Sequence, residues 1–416
     1  MKITNIHAQE LLDSRGDPTV ECTVALENGI SASAIVPSGT SRGKYEAVEL
    51  RDGDEKRYLG KGVLKAVENV NTKIVEVITG MDVENQKEID QAMITLDGTE
   101  DKSELGANAM LSVSMACTRA SALSQDISLY EYIAKLFKNS TDVYEMPVPM
   151  INIFNGGKHA SGSSDIQEYM VMPVGASNIQ EALQWGSEVF HHLGQILKEK
   201  GYPTPVGYEG GYALDLKSNE KPLELSIQAI EKTGLKSGDD VSLAVDVAAS
   251  HFYKNGEYEL EGERRILRRE ELLDLYVRWA EKYPLLSIED GFAEDDWDGF
   301  KILEEKLGGK VMNVGDDLFA TNIKRLDKGI EMKCANAILI KLNQIGTVSE
   351  SIEVTKRAID AGFNCIISHR SGETEDTFIA DFAVGSGVGF IKTGSMSRSE
   401  RMAKYNRLMK IERELN

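Results

Sequence analysis

The 416-residue sequence predicts an α/β protein: a C-terminal (β/α)8 barrel of the TIM type over residues 139–416, with a smaller N-terminal α+β domain over residues 1–138. Three observations predict it. Strand-like runs precede helix-like runs in the first third of the chain. After a polar, proline-marked stretch, short apolar runs alternate with helical segments. Six of those runs end in a charged or imidazole residue: Asp246, Glu289, Asp316, Lys341, His369 and Lys392.

The N-terminal strands are MKITNIHAQELL, TVECTVALENG and SASAIVPSG, separated by the turn-like DSRGDP and ENG, as in an antiparallel meander. Four segments with helical periodicity follow, beginning at GVLKAVENV, VENQKEIDQ, ANAMLSVSM and SLYEYIAKL. KNSTDVYEMPVP marks the domain boundary. The six apolar runs are SLAVD, LLSIE, MNVGD, AILIK, CIISH and GFIK, and their last residues lie 43, 27, 25, 28 and 23 residues apart. One strand and one helix occupy about 25–30 residues. The longer first interval leaves room for an excursion, YKNGEYELEGERR, and no regular phase is visible before residue 241. An open doubly wound sheet is the alternative, but its site gathers at one switch point. Six strand ends in one phase favour closure, because a barrel collects its functional residues on the C-terminal rim of the strands.

The chain is 41% hydrophobic and 27% charged, an ordinary globular composition, and its opening turns polar too early for a secretory signal. No run suits a membrane span, so the expected location is cytoplasmic. A net charge of −20 argues against nucleic acid or an anionic membrane as partner. Binding an anionic substrate against that field calls for local positive charge, which divalent cations supply. Cys22, Cys117, Cys334 and Cys365 are scattered, with no CxxC pair, and read as buried reduced thiols.

Asp246, Glu289 and Asp316 at successive strand ends form a candidate oxygen cage for magnesium, set against the ordinary use of acidic residues as caps. Asp290, Asp317 and Glu294 to Asp296 are assigned to capping and to support behind the ligands. Lysines at a barrel rim often only snorkel to solvent. Facing a metal site, Lys341 and Lys392 are expected to have lowered pKa values. His369, Arg370 and Ser371 suit a phosphate or carboxylate. NGGKHA and IQEYMVMP bring in His159, Gln167 and Glu168, and VGYEGGYA sets Glu209 before two glycines that permit close backbone approach to a ligand. SGTSRGKY is not a P-loop, GSGVGF is not a dinucleotide fingerprint, and His191-His192 lacks the spacing of a zinc site.

Many segments together resemble the enolase family: DSRGDPTVE, PSGTSRGKYEAVELRDGD, LDGTEDKSELGANAMLSVSMA, NGGKHA, DIQEYMVMPVGA, DVAAS, SIEDG, GDDLFATN, LIKLNQIGT, SHRSGETEDT and IKTGSMSRSER. The resemblance implies Mg²⁺-dependent dehydration of 2-phosphoglycerate to phosphoenolpyruvate, in glycolysis or gluconeogenesis. It implies Lys341 as general base, Glu209 as general acid and Glu168 assisting near the leaving group. Asp246, Glu289 and Asp316 match the ligands of a first Mg²⁺, and Ser41 matches a mobile-loop ligand of a second, substrate-dependent Mg²⁺. His159, Gln167, His369, Arg370, Ser371 and Lys392 match contacts to a small phosphorylated hydroxy acid. Family members form homodimers or octamers of dimers. Three residues depart from the family pattern: Tyr208 stands where an acidic residue precedes Glu209, Arg42 follows Ser41, and His251 follows DVAAS and is expected outside the ligand contacts. These departures leave an altered paralogue, or a non-catalytic binding protein on the same scaffold, as rival readings.

Overall fold

The computed structural model describes residues 1–40, 43–138, 144–160 and 164–416. β1 (Ile3–Leu12), β2 (Pro18–Leu26) and β3 (Ser31–Ile35) form an antiparallel sheet in chain order. Along β2 the buried positions Val20, Cys22, Val24 and Leu26 recur every second residue, as a strand with one covered face requires. Helices cover that face: α1 (Leu64–Asn69), continued through a π-turn (Val70–Ile74) into α2 (Val75–Ile78), packs on β1, and α4 (Ala107–Ser124) packs on β2 and β3, while α3 (Gln86–Asp97) and α5 (Leu129–Phe137) pack against α4. α4 is buried on nearly all sides because its side chains are small and its hydroxyls are paired. Thr118 Oγ1, for example, donates to Gln86 Oε1 at 2.8 Å.

The remainder is built on a closed eight-stranded barrel. Its strands are β4 (Val148–Asn155), β5 (Glu168–Met172), β6 (Ser242–Asp246), β10 (Leu285–Glu289), β11 (Met312–Gly315), β12 (Ala337–Ile340), β13 (Asn364–Ser368) and β14 (Phe390–Ser395). The excursion after β6 is a small sheet of β7 (Tyr253–Lys254), β8 (Glu257–Leu260) and β9 (Arg265–Leu267). Two helices, α6 (Ile179–Glu199) and α7 (Lys221–Thr233), separate β5 from β6. Thereafter strands and helices alternate: α8 (Arg269–Lys282), α9 (Trp297–Leu307), α10 (Ile323–Met332), the short α11 (Leu342–Ile345) with α12 (Val348–Asp360), α13 (Phe378–Ser386) and α14 (Ser399–Leu415). β5 runs antiparallel to both β4 and β6. The first units therefore read ββαα, which is why no βα phase was visible before residue 241.

The barrel interior is plugged by Met150, Met170, Met172, Ala244, Met312, Val314, Ala337, Leu339 and Ile366. Two residues beyond several of these, on the same strand face, stand Asn152, Glu168, Asp246, Asp316 and Lys341. The apolar plug is thus the floor of a polar rim.

The segment after β3 crosses that rim. Ser38 and Gly372 exchange both backbone hydrogen bonds, at 2.7 and 2.8 Å, and Thr40 N donates to Ser371 Oγ at 2.8 Å. Lower down, Arg119 of α4 grips Asp376, before α13, through two bonds of 2.6 Å. Asp376 also accepts from Ile35 N. Removing one partner of a buried ion pair strands the other. Arg119→Met is therefore expected to cost about 3 kcal/mol in urea unfolding, and an unchanged midpoint would refute this tie between sheet and barrel. All four cysteines are free and buried. Among the described residues no helix is long and apolar enough to cross a membrane.

Candidate active site

A small polar cavity opens at the C-terminal rim of the barrel. Glu168, Glu209, Asp246, Asp316, Lys341 and Lys392 line it, as do His159, Gln167, His369, Arg370 and Ser371. Glu289 is fully buried at the edge of this group, in contact with Lys392. Ser41 and Arg42 lie outside the described residues. The reversal of β5 explains how Glu168 reaches the rim: it is the first residue of its strand, yet it pairs with Asp246, the last residue of β6. In the barrel order β10-β11-β12-β13-β14-β4-β5-β6, β12 stands diametrically across from β5. Lys341, directly after β12, therefore enters from the wall opposite Glu168.

Lys392 is the electrostatic centre of one side. Its ammonium lies 3.0 Å from Glu168, 3.2 Å from Asp246 and 2.8 Å from Glu289. Lys341 pairs with Asp316, which also accepts from Gln344 at 3.0 Å. The expectation of lowered lysine pKa values does not hold for these side chains by themselves. Burial pulls Lys341 down, but Asp316 outweighs it and lifts the ammonium to about 12. Burial likewise opposes charge on Lys392, and three carboxylates overcome it and hold its pKa well above the ordinary lysine value. A fall would require additional positive charge in the cavity.

The carboxylates also differ from one another. Burial, then the charge of Glu209, pushes Glu168 well above the ordinary range. Glu209 is buried too, but His159 at 3.1 Å and His369 at 3.3 Å hold it low. Asn152 Nδ2 bridges the two, donating to Glu168 at 2.7 Å and to Glu209 at 3.3 Å. Neighbouring carboxylates pushed apart in this way have different proton affinities, with Glu168 the one that favours its protonated form. The glycines after Glu209 meet protein rather than ligand. A Cβ at Gly210 (φ +89°) would fall 2.7 Å from the Ser397 carbonyl oxygen, and one at Gly211 2.9 Å from the Phe154 backbone.

Arg370 donates to Glu46 through both terminal nitrogens, at 2.9 and 3.1 Å, and to Asn343 at 2.9 Å. Asp290 fulfils the expected supporting role by accepting from the backbone of Asp316 and Asp317 at 2.9 and 2.8 Å. Tyr208 is 41% exposed. His251, expected outside the contacts, lines the cavity. Burial and the nearby Lys158 lower its pKa to about 4, so it is neutral. His191 is exposed on α6.

Sequence reasoning assigned no role to Glu46, Asn152, Asn155, Gln344 or Arg401. Asn152 had a signal, standing two residues past Met150 on one strand face. Gln344 and Arg401 sit on helices, where no strand period marks them.

The donor set suits a hard divalent cation. Glu289 Oε1, Asn152 Oδ1 and Gln167 Oε1 are buried oxygens without hydrogen-bond partners among the described residues, and oxygen-rich sites favour such ions. Asp290, Asp316 and Asp317 offer ligand atoms all within 4.8 Å of one another, as do His159, Glu168 and Glu209. The expected trio is brought to one rim but divided: Asp246 and Glu289 turn to Lys392, and Asp316 to Lys341. Two family models match the chain, one described as enolase, N-terminal domain, over residues 3–133, the other as enolase, C-terminal TIM barrel domain, over residues 143–416.

Proposed function

This chain belongs to the enolase family, and from that premise we propose that it catalyses the reversible, Mg²⁺-dependent dehydration of 2-phosphoglycerate to phosphoenolpyruvate. The observation that carries the reading is the opposition, across one cavity, of Lys341 on one barrel wall to Glu168 on the other, with Glu209 joined to Glu168 through Asn152. A β-elimination that removes a proton from one side of a substrate and a hydroxyl from the other needs a base and an acid so opposed.

Lys341 Nζ, held in place by the end of a stiff strand, takes the C2 proton as the neutral amine, a form that the positive charge of bound Mg²⁺ would favour over the ammonium. Glu209 acts as the acid toward the departing C3 hydroxyl, drawing on the proton that the raised pKa of Glu168 keeps beside it. Asp246, Glu289 and Asp316 would hold one Mg²⁺, and Ser41 would contribute to a second. When bound, these ions supply fixed positive charge against the substrate carboxylate, where negative charge grows as the C2 proton leaves. Lys392, Arg370, His369, Ser371, His159 and Gln167 provide donors for the substrate's phosphate and carboxylate, and Lys392 adds a buried cation on the carboxylate-rich side.

The test is direct. Purified protein with 2-phosphoglycerate should produce phosphoenolpyruvate, read by its ultraviolet absorbance, when Mg²⁺ is present. Exhaustive chelation should abolish turnover and Mg²⁺ should restore it. Absence of product with Mg²⁺ would overturn the activity, and full turnover after chelation would overturn the metal assignment.

A further inference from the structure

We propose that Arg401 is a positioning residue that locks His369 into the neutral tautomer carrying its proton on Nε2. Only its catalytic consequence rests on the functional reading above; the tautomer itself does not.

Arg401 lies in the first turn of α14 and is fully buried. Its Nη1 is 2.7 Å from His369 Nδ1 and donates to Arg370 O at 2.7 Å. Its Nη2 donates to Ser371 O at 2.7 Å and to Tyr208 O at 3.1 Å. A guanidinium has five donors, no acceptor and no accessible deprotonated form. His369 Nδ1 must therefore present its lone pair, which leaves the ring proton on Nε2. That nitrogen is buried 3.3 Å from Glu209 Oε1 but makes no hydrogen bond among the described residues, so its proton is left for the cavity. A permanent cation against Nδ1 also disfavours an imidazolium. Burial lowers the His369 pKa well below its ordinary value, and Arg401 adds to this against the pull of Glu209.

The chain gives up packing freedom to keep this group. Gly394 adopts φ +96°, and a Cβ there would fall 2.5 Å from Arg401 Cδ, so a side chain at 394 would displace the arginine stem. Arg401 also contacts one carboxylate at longer range, Glu400 at 3.5 Å from its Nε. Most of its donors thus serve neutral acceptors, a costly use of a buried charge. Those acceptors belong to the two loops that carry His369 and Glu209, since Tyr208 O is the carbonyl immediately before Glu209. One guanidinium therefore fixes both the proton direction of the imidazole and the backbone of its carboxylate neighbour.

The experiment reads histidine ring nitrogens by long-range ¹H–¹⁵N NMR in ¹⁵N-histidine-labelled protein, without substrate. The His369 signal is assigned by its loss in His369→Asn. The native protein should show unprotonated Nδ1 and protonated Nε2. Arg401→Leu should shift His369 towards a tautomer mixture, and Arg401→Gln, which retains an N–H donor, should restore the native pattern at least in part. Turnover of Arg401→Leu should fall roughly 10–100-fold, the usual range for partners that orient a functional group. A protonated Nδ1 in the native protein would overturn the proposal, as would an unchanged tautomer in Arg401→Leu. If the leucine variant does not fold, the native and glutamine spectra decide. Because the spectra need no turnover, an inactive protein with the expected tautomer would refute the proposed activity and leave the role of Arg401 standing.

Discussion

Alanine at position 341 is expected to lower turnover of 2-phosphoglycerate by roughly 10²–10⁴-fold, the range that a positioned general base contributes. It is also expected to stop exchange of the substrate C2 proton with solvent. Lys341 is the ammonium that enters from the wall opposite Glu168, and its partner Asp316 lies on the neighbouring strand end. Glu209→Gln gives the contrast. The glutamine cannot deliver a proton to the C3 hydroxyl, so dehydration should fail, but Lys341 can still remove and return the C2 proton. Proton NMR of 2-phosphoglycerate in D₂O with Mg²⁺ separates the two variants. Exchange retained in Lys341→Ala and lost in Glu209→Gln would reverse the assignment.

Lys392→Met should produce the largest loss of stability. Its ammonium is shared by Glu168, Asp246 and Glu289, all within 3.2 Å and all almost fully buried. Methionine keeps most of the volume and removes the cation that, alone among the described residues, forms an ion pair with Glu289, leaving three carboxylates to repel one another in a low dielectric. Stranding buried charge in this way costs roughly 3–5 kcal/mol. Urea unfolding in a chelator should show that loss. Added Mg²⁺ should recover part of it, because a divalent ion held by Asp246 and Glu289 replaces the missing charge and binds only the folded state. Equal stability of variant and parent in chelator would refute the account of Lys392 as the charge that holds this side together.

The barrel was legible because an apolar run that ends in a charged residue is unusual and recurred six times. SLAVD and LLSIE are β6 and β10 residue for residue, and AILIK is β12 with Lys341 directly after it. The excursion after β6 was legible from NGEYELEG, whose turn and alternation need no tertiary help. The reversed strand was not. INIFN and EYMVM are both buried on all faces, so neither carries a pattern of alternation, and nothing local in an apolar strand records the direction of its neighbour. Lys341 was legible as a candidate, but its pairing with Asp316 was not, because that depends on which strand end stands beside it.

The sequence alone determined the fold class, the residue types at the rim and the oxygen-rich chemistry of the site. Each of these follows from periods of two and about 3.6 and from the cost of burying a charge, all of which are local. Only the tertiary structure decided which residues act on one another. It turned Lys392 onto three carboxylates and set Asn152 between Glu168 and Glu209. It also brought Arg401, thirty-two residues along the chain, against the ring of His369. Hydrogen bonds have direction and reach only about 3 Å, so their partners are chosen by how helices and strands close around the barrel, a choice that no stretch of sequence encodes by itself.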